Sequence, residues 1–276
     1  PDVEVKLVNA AIVSIHIDGY KVSNPIGFQG KDVAIQIYTA FAPMVHIGAL
    51  ERTATELNLE LVAVAAEPFA VARAVLGTDE SPNYTAILCD VGGGSTDIAV
   101  VNDGGVEGTK CFGVAGRSFT KTISGDLSIG YEAAEKLKLN IDGGKIKPNV
   151  LRTVNESIDN TLDVWISGVQ LALSEFDAID HLPNKFLLCG GGSSLGDLVD
   201  RLETSNWYKD LPFSRRPIIK HVRPSDVSGI EDETGEITDH TLITALGLLR
   251  VGYDTMESVT GTKETFRDKI DRVLRI

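Results

Sequence analysis

The opening of the chain alternates apolar and polar side chains. Residues 11–17 follow the two-residue period of a β-strand, with their apolar side chains on one face. Asp18-Gly19 comes next, and this dipeptide between alternating runs is a strong hairpin signal. A second β-rich run covers 33–41, and the apolar spacing becomes helical over 45–57. The pattern therefore predicts a small sheet with turns, followed by a helix.

The middle of the chain has the clearest strand pattern. Three apolar runs are separated by short turns rich in glycine, which predicts two consecutive hairpins and an antiparallel meander. The predicted strands of the meander are 85–91, 98–101 and 106–112. Upstream, the pattern predicts a strand over 59–64 and a helix over 69–76, introduced by Pro68, which is favourable in a first helical turn.

The rest of the chain is predicted to be mainly helical, with one further buried strand. Helical spacing covers 117–140 and 150–180, and an apolar run over 185–189 reads as a strand. Two shorter helices are predicted over 195–202 and 241–251.

A buried strand that ends in three glycines occurs twice. Gly92–Gly94 follows the first strand of the meander, and Gly190–Gly192 follows the strand at 185–189. Glycine permits close approach of a backbone to a ligand, so the repeated pattern predicts two ligand-facing turns. The first turn is preceded by Asp90 and followed by two hydroxyl residues. Converging backbone N–H groups bind anions, and a nearby carboxylate suits the Mg²⁺ that accompanies phosphate, so a phosphate site is predicted here.

Five segments, in this order, resemble the motifs of the actin-like ATPases. They correspond to the helix that opens with a catalytic acid, the second phosphate loop, the helix contacting ribose and adenine, the adenosine motif and the closing helix. The segments are 67–75, 90–101, 133–138, 187–194 and 245–249. The resemblance implies an α/β fold, namely an actin-like (ribonuclease H-like) domain with a mixed sheet flanked by helices.

The segment 17–30 resembles the second half of the small α+β subdomain inserted in the FtsA branch of that superfamily, to which the PilM branch is a near relative. This likeness implies a division into the inserted subdomain, the remainder of a first actin-like domain, a second actin-like domain and a C-terminal helix. The second domain would comprise a nucleotide-binding core, 67–112 and 186–262, and a helical subdomain, 113–185. The four parts would be 1–47, 48–66, 67–262 and 263–276.

The resemblance also implies a role for each residue of a site for ATP and Mg²⁺. Glu67 would orient the attacking water or a water bound to Mg²⁺, and Asp90 would hold Mg²⁺ through water. Glu135 would bind the ribose hydroxyls, and Lys138 would lie along the adenine. The remaining residues would surround the phosphates (Gly92, Gly93, Gly94, Ser95 and Thr96) or back the adenosine (Gly190, Gly191, Gly192 and Ser193).

The function implied is that of an ATP-binding, cytoplasmic, membrane-associated adaptor or filament protein in cell division, which would self-associate or bind another division or pilus protein. The sequence leaves open whether ATP is hydrolysed slowly or only held. It also leaves open a PilM-like role in pilus assembly and an exopolyphosphatase of the same superfamily. A further alternative is a serine hydrolase, since Gly192–Gly196 fits a G-x-S-x-G pattern. Possible triad partners lie downstream, namely Asp226, Glu231, His221 and His240. The family's first phosphate loop has no counterpart here, so we expect a piece of a longer protein.

Charge changes this picture in two places. The chain carries 26 basic and 39 acidic residues, a net charge of −13, which argues against nucleic acid as a partner. Its last segment, 263–276, runs against that balance, with five cations and three acids giving 5 − 3 = +2. Phe266, Ile270, Val273 and Leu274 would form one stripe of a helix there. A basic amphipathic helix is typical of a segment that contacts a membrane surface, and a helix that packs back on its own domain is the open alternative.

Overall fold

A computed structural model describes residues 3–22, 25–76, 84–144, 146–177 and 179–260. The chain opens with a three-stranded antiparallel sheet made of β1 (Val5–Ile17), β2 (Tyr20–Lys21) and β3 (Val33–Pro43), in the order β2-β1-β3. The predicted hairpin at Asp18-Gly19 joins β1 to β2. The apolar face of β1 is buried as the alternation predicted, and its buried side chains include Val13, Ile15 and Ile17.

The helix predicted after this sheet is present, but the strand predicted after the helix is not. Helix α1 covers Met44–Glu56, whereas 59–66 has no regular secondary structure. A strand needs a ladder partner, and here a side chain takes that place. Asn9 donates to the Val64 carbonyl oxygen at 3.5 Å and accepts from the Ala66 N–H at 2.8 Å. The strand predicted over 59–64 was therefore wrong.

A second, five-stranded sheet forms the centre of the molecule. Its strands are β4 (Ala86–Val91), β5 (Thr96–Asn102), β6 (Gly105–Phe112), β7 (Lys185–Cys189) and β8 (Ile218–His221), in the order β6-β5-β4-β7-β8. The predicted meander β4-β5-β6 is antiparallel, while β7 and β8 run parallel to β4. The mixed sheet implied by the resemblance is confirmed. The sequence pattern did not predict strand β8, which is only four residues long.

Helices cover both faces of this sheet. One core lies between the sheet and the helices of the middle of the chain, and it contains the fully buried Phe119, Trp165 and Phe186. The other core contains side chains of two helices and of the first sheet, such as Val71, Leu246 and Tyr38. The helices besides α1 are α2 (Glu67–Leu76), α3 (Gly116–Leu127), α4 (Tyr131–Leu139), α5 (Pro148–Ser174), α6 (Gly196–Thr204) and α7 (Ile243–Thr260).

Strand β4 is buried on both faces because its side chains alternate between the two cores. Ile87 and Cys89 point into the first core, and Ala86 and Leu88 into the second. Full burial of an aliphatic side chain of this size stabilises a fold by about 1.5–3 kcal/mol. The strand that carries Asp90 at its end is consequently held rigidly in the middle of the domain.

Helices α2 and α7 cross at very short range. A Cβ atom on Gly247 of α7 would lie 2.1 Å from the carbonyl oxygen of Ala70 in α2. Only glycine fits such a crossing without displacing a backbone. This contact fixes the position of α2 and, with it, of Glu67 at the start of that helix.

Candidate functional site

The two triple-glycine turns lie side by side at one edge of the central sheet. Parallel pairing of β4 with β7 places Asp90 opposite Cys189, so both strands end at the same level. A Cβ on Gly192 would lie 2.7 Å from the carbonyl oxygen of Gly92. Gly190 has φ +82°, which side chains disfavour, and its Cβ would lie 2.1 Å from Asp90 Oδ1. The two glycine turns, which the resemblance assigns to one nucleotide site, thus lie together.

A third glycine, Gly116, completes the junction from the start of α3. Its N–H donates to the carbonyl oxygen of Gly92 at 3.1 Å. A Cβ on Gly116 would lie 3.3 Å from that oxygen and 3.7 Å from Gly192 Cα. Sequence reasoning missed this residue, although a glycine shortly after a strand and before a helical run was a usable signal.

The carboxylate of Asp90 lies at the base of this junction, with 7% of the residue exposed. Burial raises its pKa, the hydrogen bond donated by the Thr244 hydroxyl opposes that shift, and the charge of Asp97 adds to it. Thr244, in the first turn of α7, had not been predicted at the site. A buried acid that costs stability is suited to receiving a cation together with an anionic ligand.

Glu67 and Asp97 face the same region from α2 and β5. Burial raises the pKa of Glu67, and the charges of Asp97 and Asp90 raise it further. Both carboxylates line a cavity of about 370 Å³, whose other walls come from β3 and β6. Glu67 therefore has open space beside it and a raised pKa, two properties that suit a residue that positions water.

The two hydroxyl residues of the first turn point in different directions. The Ser95 hydroxyl donates to Asp97 at 2.9 Å, on the side of the site. The Thr96 hydroxyl is fully buried, donates to the Val114 carbonyl oxygen at 2.7 Å and accepts from Trp165 Nε1 at 2.9 Å. The hydroxyl of Thr96 is thus committed to the interior, where it anchors the turn.

Glu135 and Lys138 form one polar network with the start of α3. Lys138 Nζ lies 2.9 Å from the Glu135 carboxylate, and it donates to the Gly116 carbonyl oxygen at 3.0 Å and to Thr120 at 2.9 Å. Burial favours a higher pKa for Glu135, but the hydrogen bonds from Thr120 and Lys138 lower it below its usual value. The pair is therefore joined to the glycine junction and is not a solvated helix face.

The second glycine turn continues as a short 3-10 helix, Gly191–Ser194, which lies beside two stacked histidine rings. Ser193 is buried and its hydroxyl donates to the Gly190 carbonyl oxygen at 2.8 Å. Gly191 is exposed, and a Cβ there would meet no atom within 4 Å. The ring centroids of His221 and His240 are 3.8 Å apart.

The hydrolase alternative depends on Ser194, which lies 3.1 Å from His240 Nε2. A nucleophile elbow places its serine in a strained turn. Ser194 is not among the residues of positive φ, and no carboxylate in the described part of the chain hydrogen-bonds to either histidine ring. Burial and the neighbouring His221 lower the pKa of His240. Ser194 and the two histidines therefore pack against the loop and do not form a catalytic triad.

The side chains at the site suit Mg²⁺ bound together with phosphate better than a metal ion held by protein ligands alone. Among the described residues, no three His, Cys, Asp or Glu side chains are grouped to hold a metal. Mg²⁺ commonly uses one or two carboxylates, with phosphates and waters as its other ligands, so Asp90 beside a glycine turn fits it.

Within the residues that the structure describes, no helix combines the length and apolarity needed to cross a membrane.

Solved structures with the same fold define the class of protein. A chain of a PilM–PilN type IV pilus biogenesis complex superposes with a TM-score of 0.66 at 20% identity, covering 90% of this chain and 67% of that one. MreB5 of Spiroplasma citri bound to ADP superposes with a TM-score of 0.51 at 18% identity, covering 80% and 69%. The fold is that of the actin-like ATPases.

Within that class, residues 87–247 match the family model of the cell division protein FtsA, and the chain belongs to this family. The FtsA of Buchnera aphidicola subsp. Acyrthosiphon pisum is 24% identical over 273 residues, which cover 89% of this chain and 62% of the relative. The FtsA of Bacillus subtilis is 36% identical over 89 residues, covering 32% and 20%. The chain spans about three fifths of the length of the first of these relatives.

Proposed function

We propose that this chain binds ATP with Mg²⁺ at the glycine junction and acts as an actin-like protein of cell division. The observation that carries the proposal is the meeting of three glycine-containing segments around one buried carboxylate. Gly92, Gly116 and Gly192 approach one another within backbone contact distance, and Asp90 lies beneath them. Backbone N–H groups at such a turn bind phosphate, while the missing side chains leave room for it.

In this proposal Asp90 holds Mg²⁺ through a water molecule, and the bound ion neutralises charge on the phosphates. Its buried carboxylate, with a raised pKa and a hydrogen bond from Thr244, gains a counter-charge when the ion arrives. Gly93, Gly94 and Ser95 would contact the phosphates, with Thr96 anchoring the turn from the interior.

Glu67 would orient the water that attacks the terminal phosphate. It lies at the start of α2, beside open space, and burial together with the charges of Asp97 and Asp90 raises its pKa. Glu135 and Lys138 would bind the ribose and adenine from α4, and Gly190–Ser193 would back the adenosine. The MreB5 neighbour was solved with ADP, which is consistent with a nucleotide site in this fold.

The proposal extends to where the protein acts. FtsA-type function would place it as an adaptor or filament subunit at the inner face of the cell membrane, with 1–47 as part of an inserted subdomain available to partners. The predicted membrane-binding helix, 263–276, lies outside the described residues. Its sequence pattern is the support for peripheral attachment.

Titration calorimetry of the 276-residue chain with ATP tests the nucleotide site. Binding is expected with Mg²⁺ and is expected to weaken when the ion is chelated. Asp90→Ala should abolish Mg²⁺-dependent binding, while Asp200→Ala, which removes an exposed acid from α6, should leave it unchanged. Absence of binding by the unaltered chain would overturn the nucleotide proposal, and equal affinity of Asp90→Ala would remove Asp90 from it.

A further inference from the structure

Arg117 lies over the first glycine turn. It is the second residue of α3, and its backbone N–H donates to the carbonyl oxygen of Gly93 at 2.8 Å. Its side chain returns toward the same turn. A Cβ on Gly93 would lie 3.3 Å from Arg117 Nε, and one on Gly94 would lie 3.8 Å from Nη1. The guanidinium therefore occupies the space where side chains on these two glycines would lie.

This guanidinium has no partner within the part of the chain that the structure describes. Arg201, Arg223 and Arg250 each pair with a carboxylate, but Arg117 is exposed and makes neither an ion pair nor a side-chain hydrogen bond there. A guanidinium presents five donors in a fixed plane that matches carboxylate and phosphate oxygens. Its donors are available to an anion from outside.

The backbone at the tip of the turn offers hydrogen-bond donors beside the Arg117 guanidinium. Across the described ranges, the N–H groups of Gly93 and Gly94 have no backbone acceptor, whereas the Gly92 N–H is taken by the Ser95 carbonyl oxygen at 3.0 Å. Both glycines are exposed. Two open N–H groups and one unpaired cation therefore border one opening.

Acidic side chains occupy the other side of the site. Glu67, Asp90 and Asp97 interact electrostatically with one another. A polyphosphate entering between these acids and the turn meets repulsion that a cation on the turn would offset. Lys138 does not supply that cation, because its ammonium group is used by Glu135, Gly116 and Thr120.

We propose that Arg117 is a phosphate-binding residue, whose guanidinium and the Gly93 and Gly94 N–H groups together hold the polyphosphate of the nucleotide. This inference rests on the proposed function for the identity of the nucleotide, but its chemistry concerns the polyphosphate alone. The backbone hydrogen bond from Arg117 to Gly93 belongs to the main chain, so truncating the side chain leaves the start of α3 intact.

The test measures binding of ATP, adenosine and inorganic tripolyphosphate to the 276-residue chain and to three variants. Arg117→Ala should weaken ATP and tripolyphosphate about 10- to 100-fold, the range for hydrogen bonds to a charged group. Arg117→Lys should recover part of the loss, because lysine keeps the charge without the planar fork. Lys121→Ala removes an exposed cation one turn further along α3 and should change neither. Adenosine binding and melting temperature should be the same in all four proteins.

The outcomes separate this inference from the nucleotide proposal. Equal ATP affinity in Arg117→Ala would overturn the inference and leave the nucleotide site standing. Tripolyphosphate binding that depends on Arg117, without any ATP binding, would support the inference and overturn the nucleotide proposal. If Arg117→Ala weakened adenosine binding equally, the side chain would have a structural role, and the inference would be overturned. Absence of binding by either phosphate compound to the unaltered chain would overturn both.

Discussion

Gly192 touches Gly92 across the site: a Cβ on Gly192 would lie 2.7 Å from the Gly92 carbonyl oxygen and 2.8 Å from that of Val91. The residues are far apart in sequence, and their contact joins the ends of β4 and β7. The junction therefore has no room for a side chain at this position.

Gly192→Ala should separate the two turns. We expect a loss of about 1–3 kcal/mol in the free energy of unfolding, the usual cost of overpacking, together with loss of nucleotide binding. Gly191→Ala is the matched control for stability, since a Cβ there meets open space. Denaturant unfolding of both variants measures the difference. Equal stabilities would contradict the close contact.

Gly247→Ala should push α2 away from α7, because the new Cβ would overlap the carbonyl oxygen of Ala70. We expect a loss of about 1–3 kcal/mol in unfolding free energy and slower ATP turnover, since Glu67 moves with α2. Gly252→Ala in the same helix meets no neighbour and should stabilise the protein by about 0.5–1 kcal/mol through helix propensity. Thermal melting and phosphate release measure both effects.

Glu67→Gln should preserve nucleotide binding and slow hydrolysis. A group that accepts a proton in the transition state contributes about 10²–10⁴-fold to the rate, and glutamine keeps the shape without the basicity. Phosphate release measures the rate, and titration calorimetry measures the affinity. Glu60→Gln, an exposed acid upstream of α2, serves as the control. An unchanged rate would exclude Glu67 from the reaction.

Asp90→Asn should raise the melting temperature at neutral pH while abolishing Mg²⁺-dependent binding. Because burial raises the pKa of Asp90 above 3.8, the stability associated with its protonated form is present below that value and is lost as pH rises through the raised pKa. Asparagine does not titrate, so its advantage should vanish in acid and grow toward neutral pH.

Asp226→Asn provides a control of opposite sign for the pH experiment. The hydrogen bond from Arg223 lowers the pKa of Asp226, so its carboxylate stabilises the fold above 3.8 and loses that contribution as pH falls through the lowered pKa. The variant should be less stable at neutral pH and equal to the parent in acid. The same sign of effect for both substitutions would contradict the assigned environments.

The segment 263–276 should bind anionic membranes. Each cation near an anionic surface contributes about 1 kcal/mol, reduced here by the three acids, and the apolar stripe adds to it. The 276-residue chain should sediment with anionic vesicles but not with neutral ones, and high salt should weaken binding. A chain ending at Thr262 should remain in the supernatant. Identical behaviour of both chains would contradict a membrane role for this segment.

The sequence determined the elements whose signals are local. The meander needed only its apolar runs and the turns at Gly92–Gly94 and 102–105, and its observed register agrees with them. Period and turn chemistry act over a few residues, so they survive without tertiary information. The same holds for the hairpin at Asp18-Gly19 and for the start of α2 at Glu67.

The local sequence pattern did not show which segments pair as strands. The segment 59–64 was predicted as a strand but has no ladder, and the side chain of Asn9 bonds the backbone at Val64 and Ala66. The short strand β8 exists because it adds to β7 in parallel, which no signal within four residues reveals. A strand is stabilised by its neighbours, so its existence depends on residues distant in sequence.

The assembly of the site was also decided by tertiary structure. The sequence placed glycines at two turns, but only parallel pairing of β4 with β7 brings Gly92 against Gly192. Helix α3 then adds Gly116 and Arg117, and α7 adds Thr244 to Asp90. Side-chain direction separated Ser95 from the buried Thr96, although both are hydroxyl residues in one motif. Local sequence supplied the chemical groups, and long-range packing determined which of them meet.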